Sequence, residues 1–358
     1  MKPELRTPHP SRHPDPIVRA GNLAHLIFER PDLELAERFL SDFGLVNASK
    51  TADTLYLRGT GPAPYCYRVH RGPRSRFVGF GLIVPTEADL TKISQLPGAS
   101  PLEACDGPGG GQCCRLTDPS GFVIEVVYGQ TAAPVLEQRP PMILNDGAGL
   151  KRINAAQRPP VKPSQIIKLG HIVIEVADYQ ITCEWYTKTF GFIPSDVQVL
   201  PDGSPVMTFM RMDLGDQPAD HHTLGIAQGF MPAYSHSAYE VVDADAVGMG
   251  QRILHEHGWN HAWGIGRHVL GSQIFDYWQD PWGDKHEHYC DGDVFTAEQR
   301  MGIGWGRPEA MAQWGQRMPA SFSRPKLTFT NLVGLVRGLR RSPDVTWKKV
   351  VTIIKLFG

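Results

Sequence analysis

Residues 170–176 read Gly170-His171-Ile172-Val173-Ile174-Glu175-Val176, a short apolar run with a histidine near its start and a glutamate four residues later. The same His-x-x-x-Glu spacing returns in Leu23-Ala24-His25-Leu26-Ile27-Phe28-Glu29 and in Ser235-His236-Ser237-Ala238-Tyr239-Glu240-Val241. Short runs rich in β-branched and aromatic residues read as strands. Behind each run comes a segment with helical periodicity, at 31–43, 178–190 and 243–257. These end at Phe43-Gly44, at Phe190-Gly191 and at Gly258, where glycine suits a helix C-cap. A fourth copy opens at Phe77-Val78-Gly79-Phe80-Gly81-Leu82-Ile83-Val84, with a helix expected near 86–96. Its closing strand follows Asp118-Pro119-Ser120-Gly121 and carries Glu125, as Asp280-Pro281-Trp282-Gly283 precedes Glu287. In both, Asp-Pro-x-Gly signals a turn feeding a strand.

The unit is therefore strand, helix and about three strands, occurring four times. This predicts an α+β protein of two domains, each built from two βαβββ modules that form a cupped mixed sheet around a central site. The expected boundaries are an arm over 1–18, a non-catalytic N-terminal domain over 19–130, a Pro-rich linker over 131–166, a catalytic C-terminal domain over 167–295 and an extension over 296–358.

Composition bounds the function. A chain of 358 residues exceeds one comfortable core, which agrees with two domains. Hydrophobic content of 41% with 20% charged residues fits a soluble globular protein. A net charge of −1 argues against a general nucleic-acid surface. Six cysteines without a Cys-x-x-Cys pair read as reduced thiols, hence a cytoplasmic protein. The N-terminus lacks the apolar core of a signal peptide, and no run reaches membrane-spanning length. The Pro- and His-containing arm is expected to be flexible or to wrap another subunit, and a homo-oligomer is expected with it.

Ten of the 14 histidines fall between 171 and 288, so imidazole chemistry belongs to the second half. Aligning the modules places His171, His236 and Glu287 at equivalent positions. Two neutral nitrogen ligands and one carboxylate hold a ferrous ion on one face and leave the other open. A single strand histidine is explained by a hydrogen bond, but three competent residues at repeat-related positions point to a metal. The first half offers His25, Val78 and Glu125. Valine has no donor atom, so His25 and Glu125 are expected as relics packed at a domain interface. Along His286-Glu287-His288, alternation turns Glu287 away from both neighbours, which are expected at the surface or behind the ligands.

Residues 266–287 carry Gly266-x-His268, a short spacer, Tyr277-x-x-Asp280-Pro281-x-Gly283 and Glu287. This resembles the signature of type I extradiol ring-cleaving dioxygenases of the vicinal oxygen chelate superfamily. The resemblance covers about residues 20–295 and is strongest over 168–292. It implies Fe(II), or Mn(II) in a minority, held by His171, His236 and Glu287, with a catecholic substrate and O2 as partners. It further implies ring opening beside the vicinal hydroxyls with insertion of both oxygen atoms, in aromatic compound catabolism. His222, in Asp220-His221-His222-Thr223-Leu224, resembles the family's acid–base histidine beside the oxygen site, while His221 should point the other way along a strand. His268 and Tyr277 resemble the pair that hydrogen-bonds substrate oxygens. Asp276 departs from the signature, where a bulky apolar residue is usual, and this bears on pocket shape more than on metal binding.

Trp259, Trp263, Trp278 and Trp282 line or support the pocket, with core packing their default role. The extension over 325–358 mixes Arg337, Arg340, Arg341, Lys348, Lys349 and Lys355 with apolar residues. It reads as packing on this chain or another subunit, or as an amphipathic surface helix, interrupted at Pro343. Two rivals share the fold. A glyoxalase-like isomerase or thiol transferase would recruit a further carboxylate such as Glu175 or Glu240, although both recur as Glu29 in the first half. A metal-free binding protein would use the cup alone.

Overall fold

The computed structural model describes residues 2–323 and 329–357. Its first sheet holds β1 (Asn22–Arg30), β2 (Val46–Lys50), β3 (Thr54–Arg58), β4 (Tyr67–Arg71), β5 (Arg76–Ile83), β6 (Glu103–Ala104), β7 (Gln112–Thr117) and β8 (Val123–Tyr128). The second half contributes β9 (Ile166–Val176), β10 (Ile193–Val199), β11 (Pro205–Arg211), β12 (Ala219–Asp220), β13 (Leu224–Gln228), β14 (Ala233–Val241), β15 (Asn260–His268), β16 (Ile274–Gln279) and β17 (Lys285–Cys290). β18 (Val294–Phe295) closes this half, and the extension adds β19 (Gly302–Trp305) and β20 (Ala312–Gly315). The helices are α1 (Leu33–Asp42), α2 (Glu87–Ser94), α3 (Tyr179–Phe190), α4 (Ala244–Glu256), α5 (Ala320–Ser323), α6 (Phe329–Arg341) and α7 (Trp347–Phe357).

The first sheet runs β2-β3-β4-β1-β5-β8-β7-β6, and the second runs β10-β11-β13-β9-β14-β17-β16-β15 between the edge strands β19 and β20. Position for position the two orders agree, so the four βαβββ modules expected from the repeat are present. Helix starts follow side-chain chemistry: Asp32 and Asp243 accept the N–H groups of Leu35 and Ala246. At the end of α3, Gly191 takes the left-handed conformation (φ +71°) in which other residues are strained.

One apolar cluster runs through both halves, from Phe28 and Phe80 to Ile172 and Tyr239. The two Asp-Pro-x-Gly turns brace it reciprocally. Asp118 Oδ1 accepts the N–H groups of Ser120 and Phe122, and Asp280 Oδ1 those of Trp282 and Asp284, all at 2.9 Å. The second oxygen of each reaches across: the Tyr186 hydroxyl donates to Asp118 at 3.0 Å, and Arg30 donates to Asp280 at 2.8 Å. His286 and His288 belong to this seam and not to the surface. Both are fully buried, His286 against the Tyr67 hydroxyl at 3.1 Å and His288 donating to the Phe43 carbonyl at 2.6 Å. Alternation is right about their direction, but the opposite face of the strand is covered by the other half.

The arm is likewise fixed to its own chain. Arg6 N–H donates to the Gly203 carbonyl at 3.0 Å, and Val18 N–H to Thr189 at 3.1 Å. The Arg12 guanidinium straddles Asp213 at 3.0 and 3.1 Å. Five prolines in 16 residues hold this stretch extended, so it lies as a strap across the second half in place of the expected flexible or subunit-wrapping tail. The extension also packs on its own chain: Ile353 and Leu356 of α7 cover Val173, Leu200, Val206, Met207 and Phe209. Part of the extension, 324–328, lies outside the described residues. No described helix is long and apolar enough to cross a membrane.

Candidate metal centre

Three adjacent strands of the second sheet bring the candidate ligands together. β9 carries His171, β14 carries His236 and β17 carries Glu287. The ladders pair Ala238 with both His171 and Glu287, and His236 with Val173. A bulge at Ser235 accompanies this offset. One ligand atom from each of the three residues falls within 4.8 Å of the others. His171 Nε2 lies 3.3 Å, and His236 Nε2 3.6 Å, from Glu287 Oε2, while His268 Nε2 lies 3.6 Å from Oε1.

Glu287 is fully buried, yet neither of its oxygens has a hydrogen-bond partner of good geometry. An ionised carboxylate so placed is costly unless a cation meets it. Burial alone would push its pKa up, but the facing His171 imidazole outweighs that and holds the carboxyl well below the usual range. Burial pushes His236 well below the usual imidazole value, so its nitrogen lone pair is free to bind an electrophile. Donor set, spacing and orphaned oxygens therefore fit a divalent ion.

Around the trio, residues from several elements close a narrow cavity: His222, His268 and Tyr277 with Gln198, Met207, Phe209, Leu270, Gln273, Ala310 and Met311. The ring of His222 lies 4.0 Å from that of His171. Burial, added to the neighbouring imidazoles, pushes His222 well below its ordinary pKa. His268 Nδ1 sits 2.9 Å from the Met311 carbonyl, which can only accept, so that nitrogen carries the hydrogen. Its Nε2 then accepts from the Tyr277 hydroxyl at 2.9 Å. Burial raises the Tyr277 pKa well above the phenol range and keeps the hydroxyl protonated.

Asp276 does not shape the cavity. On β16 it alternates with Tyr277 and turns toward α4, accepting from Trp278 Nε1 at 2.6 Å, His261 Nε2 at 2.7 Å and Gln251 at 3.2 Å. Burial raises its pKa while these donors oppose the rise. The tryptophans lie outside the cavity lining too. Trp263 stacks behind Tyr277 at 5.6 Å, Trp278 packs on His255 and His261, Trp259 donates to Asp42, and Trp282 lies under Arg30.

Sequence reading missed the lining from β10 and β11 and the cover from Met311. The first could be sought from alternation along Met207 and Phe209. The second had no signal, because the extension shares no repeat with the sheet.

A profile of the Glyoxalase/Bleomycin resistance protein/Dioxygenase superfamily matches residues 168–287. All six predicted site residues lie within the matched segment, and it ends on Glu287. Metapyrocatechase 2 from Cupriavidus necator is 29% identical over 324 residues, 89% of this chain and 96% of that protein. Among solved structures, an Mn(II)-bound glyoxalase from Novosphingobium aromaticivorans shares 21% identity at a TM-score of 0.71, over 86% of this chain and 95% of that one. Homoprotocatechuate 2,3-dioxygenase from Brevibacterium fuscum, in an anaerobic complex with 3,4-dihydroxyphenylacetate, shares 17% identity at 0.71, over 87% and 93%. These two likenesses show that the same fold extends over most of the chain.

Proposed function

We propose that this chain is an extradiol dioxygenase that opens a catechol-type ring beside its vicinal hydroxyls and inserts both atoms of O2. The observation that carries the reading is the buried Glu287, with both oxygens unpartnered and the His171 and His236 imidazoles within 3.6 Å of Oε2, inside the matched segment. His171, His236 and Glu287 are assigned as ligands of Fe(II), with Mn(II) as the other ion this donor set accepts. A divalent ion held by these three residues would supply the Lewis-acid and redox chemistry by which a catecholate reacts with O2.

The chain's own groups manage protons and orientation. His222, neutral and beside His171, is placed to take a proton from a catechol hydroxyl and return it to the ring-opened product. Tyr277 keeps its proton, and His268 Nε2, oriented through Met311, shares that proton with the Tyr277 oxygen. Both stand where substrate oxygens would enter. Met207, Phe209, Leu270 and Met311 present apolar surface to the ring and exclude water. The same reading assigns the catalytic domain to 167–295 and the silent one to 19–130, and expects a cytoplasmic homo-oligomer.

The isomerase or transferase reading asks for a further carboxylate. Glu240 is engaged by Lys168 at 3.4 Å, and Glu175 is not part of the ligand cluster. The test is aerobic turnover of a panel of substituted catechols by protein loaded anaerobically with Fe(II) or Mn(II). O2 uptake matched by a yellow ring-opened product is expected. Failure of both signals with every catechol would sink the assignment, and turnover without O2 uptake would move it to the isomerase class.

A further inference from the structure

Behind His222, on the side away from the ligands, the structure holds an unbroken chain of polar groups. His222 Nδ1 lies 2.9 Å from His221 Nδ1, and His221 Nε2 lies 2.7 Å from Asp196 Oδ2 of β10. Both rings are buried, at 4% and 1% exposure. Residues 221–223 form a bend between β12 and β13 and not the strand expected there. The bend lets two consecutive side chains face each other, which alternation on a strand would forbid.

The His221 ring cannot readily turn out of this line. Its backbone N–H donates to the Asp293 carbonyl at 2.8 Å, and the Phe295 and Phe209 rings lie 5.4 and 5.9 Å from it. Gly271 closes the remaining side: a Cβ there would lie 3.1 Å from His221 Nδ1.

We infer that Asp196 and His221 are positioning residues that decide which nitrogen of His222 carries its hydrogen, leaving the Nε2 lone pair toward the cavity. The inference rests on the reading of the cavity as a catechol site. Its logic follows from donor and acceptor counts. A carboxylate only accepts, so His221 Nε2 must bear a hydrogen. In the neutral ring His221 Nδ1 then has the lone pair, and the contact to His222 requires His222 Nδ1 to donate. The hydrogen-free nitrogen of His222 is therefore Nε2, on the far side of its ring. A bare nitrogen can receive a hydroxyl proton, whereas one bearing hydrogen can only donate. A carboxylate two rings away thus sets the direction of proton transfer at the site.

The experiment is long-range 1H–15N spectroscopy of the chain labelled with 15N-histidine and free of paramagnetic metal, with His222→Gln used to assign the signals. The expected pattern for His222 is a hydrogen on Nδ1 and a bare Nε2. A hydrogen on Nε2, or rapid averaging between the two, would overturn the inference even if the protein folds and turns over. In Asp196→Ala the pattern should collapse to a mixture, with kcat down by about 10–100-fold and KM within about twofold, and Asp196→Glu should restore it in part. A tautomer unchanged in Asp196→Ala would equally exclude the relay. The readout needs no ring cleavage: an inactive protein with the expected tautomer refutes the dioxygenase assignment and leaves the relay standing.

Discussion

In the first sheet Glu125 meets two guanidinium groups; in the second, Glu287 at the same place meets imidazoles. The ladders make the comparison residue by residue. Glu125 pairs with Gly81 as Glu287 pairs with Ala238, and Ile27 pairs with Gly79 as Val173 pairs with His236. The counterpart of His236 is therefore Gly79, while Val78 corresponds to the bulged Ser235. The repeat in the sequence points to Val78, one residue away, because a bulge absorbs a residue without changing the pattern. Gly79 also leaves no room for a ligand, since a Cβ there would overlap the Val123 carbonyl.

The register continues around the cup. Arg68 stands where Gly225 stands, Tyr65 where His222 stands, and Arg115 where Tyr277 stands. Glu125 accepts from Arg68 at 3.1 and 3.0 Å and from Arg115 at 2.9 Å, with His25 at 3.1 Å. These residues form a buried ionic cluster inside the first cup, not relics at a domain interface. One lesson is that a buried carboxylate must find a cation. The first half answers with two fixed guanidinium groups, and the second, with Gly225 in place of Arg68, leaves the space that we assign to a metal.

The largest effect should come from removing a ligand. His171→Ala should abolish metal retention and ring cleavage, by more than the roughly 10–100-fold cost of losing a partner behind a ligand, while thermal unfolding of the metal-free protein barely moves. Metal analysis and O2 uptake check this; retained stoichiometric metal breaks the comparison. Arg68→Met should do the reverse, lowering stability by about 3–5 kcal/mol in urea without changing metal content, because it strips the buried Glu125 of a partner.

The same cluster sets an acid limit. Burial would raise the Glu125 pKa, but His25 and Arg68 outweigh it and hold the group well below its ordinary 4.5. Its stabilisation is then fully present above about pH 4.5 and is lost as pH falls below that value. Glu125→Gln should lower the thermal midpoint at neutral pH and flatten the fall on the acid side. A parallel acid limb in both proteins would contradict the assignment.

Gly79→His tests whether the missing ligand can simply be supplied. Metal content should stay at one ion per chain, and stability should drop by about 1–3 kcal/mol from overpacking. The smallest effect is expected from Asp276→Asn: a loss of about 1 kcal/mol at the α4 contact, with kcat and KM unchanged. A changed KM would return Asp276 to the pocket.

Much of this was legible beforehand, for definite reasons. The repeat shows because each module needs a strand of alternating burial and a helix with a glycine stop, and both leave periodic marks. His171, His236 and Glu287 could be picked because they recur at module-equivalent positions and are chemically competent in one half only. The direction of Asp276 was available too, since its neighbour Tyr277 was already assigned to the cavity.

Other features needed the third dimension. The bulge that makes Gly79 the counterpart of His236, the bend that faces His221 toward His222, and the arrival of Met311 over His268 leave no periodic trace. Local patterning records which face of an element must be buried, so the sequence by itself determined the modules, their order and the competent donor set. Which groups meet inside a cup depends on register and on cover from distant segments. Only the tertiary structure therefore decided that one carboxylate is neutralised by arginines while the other stays open.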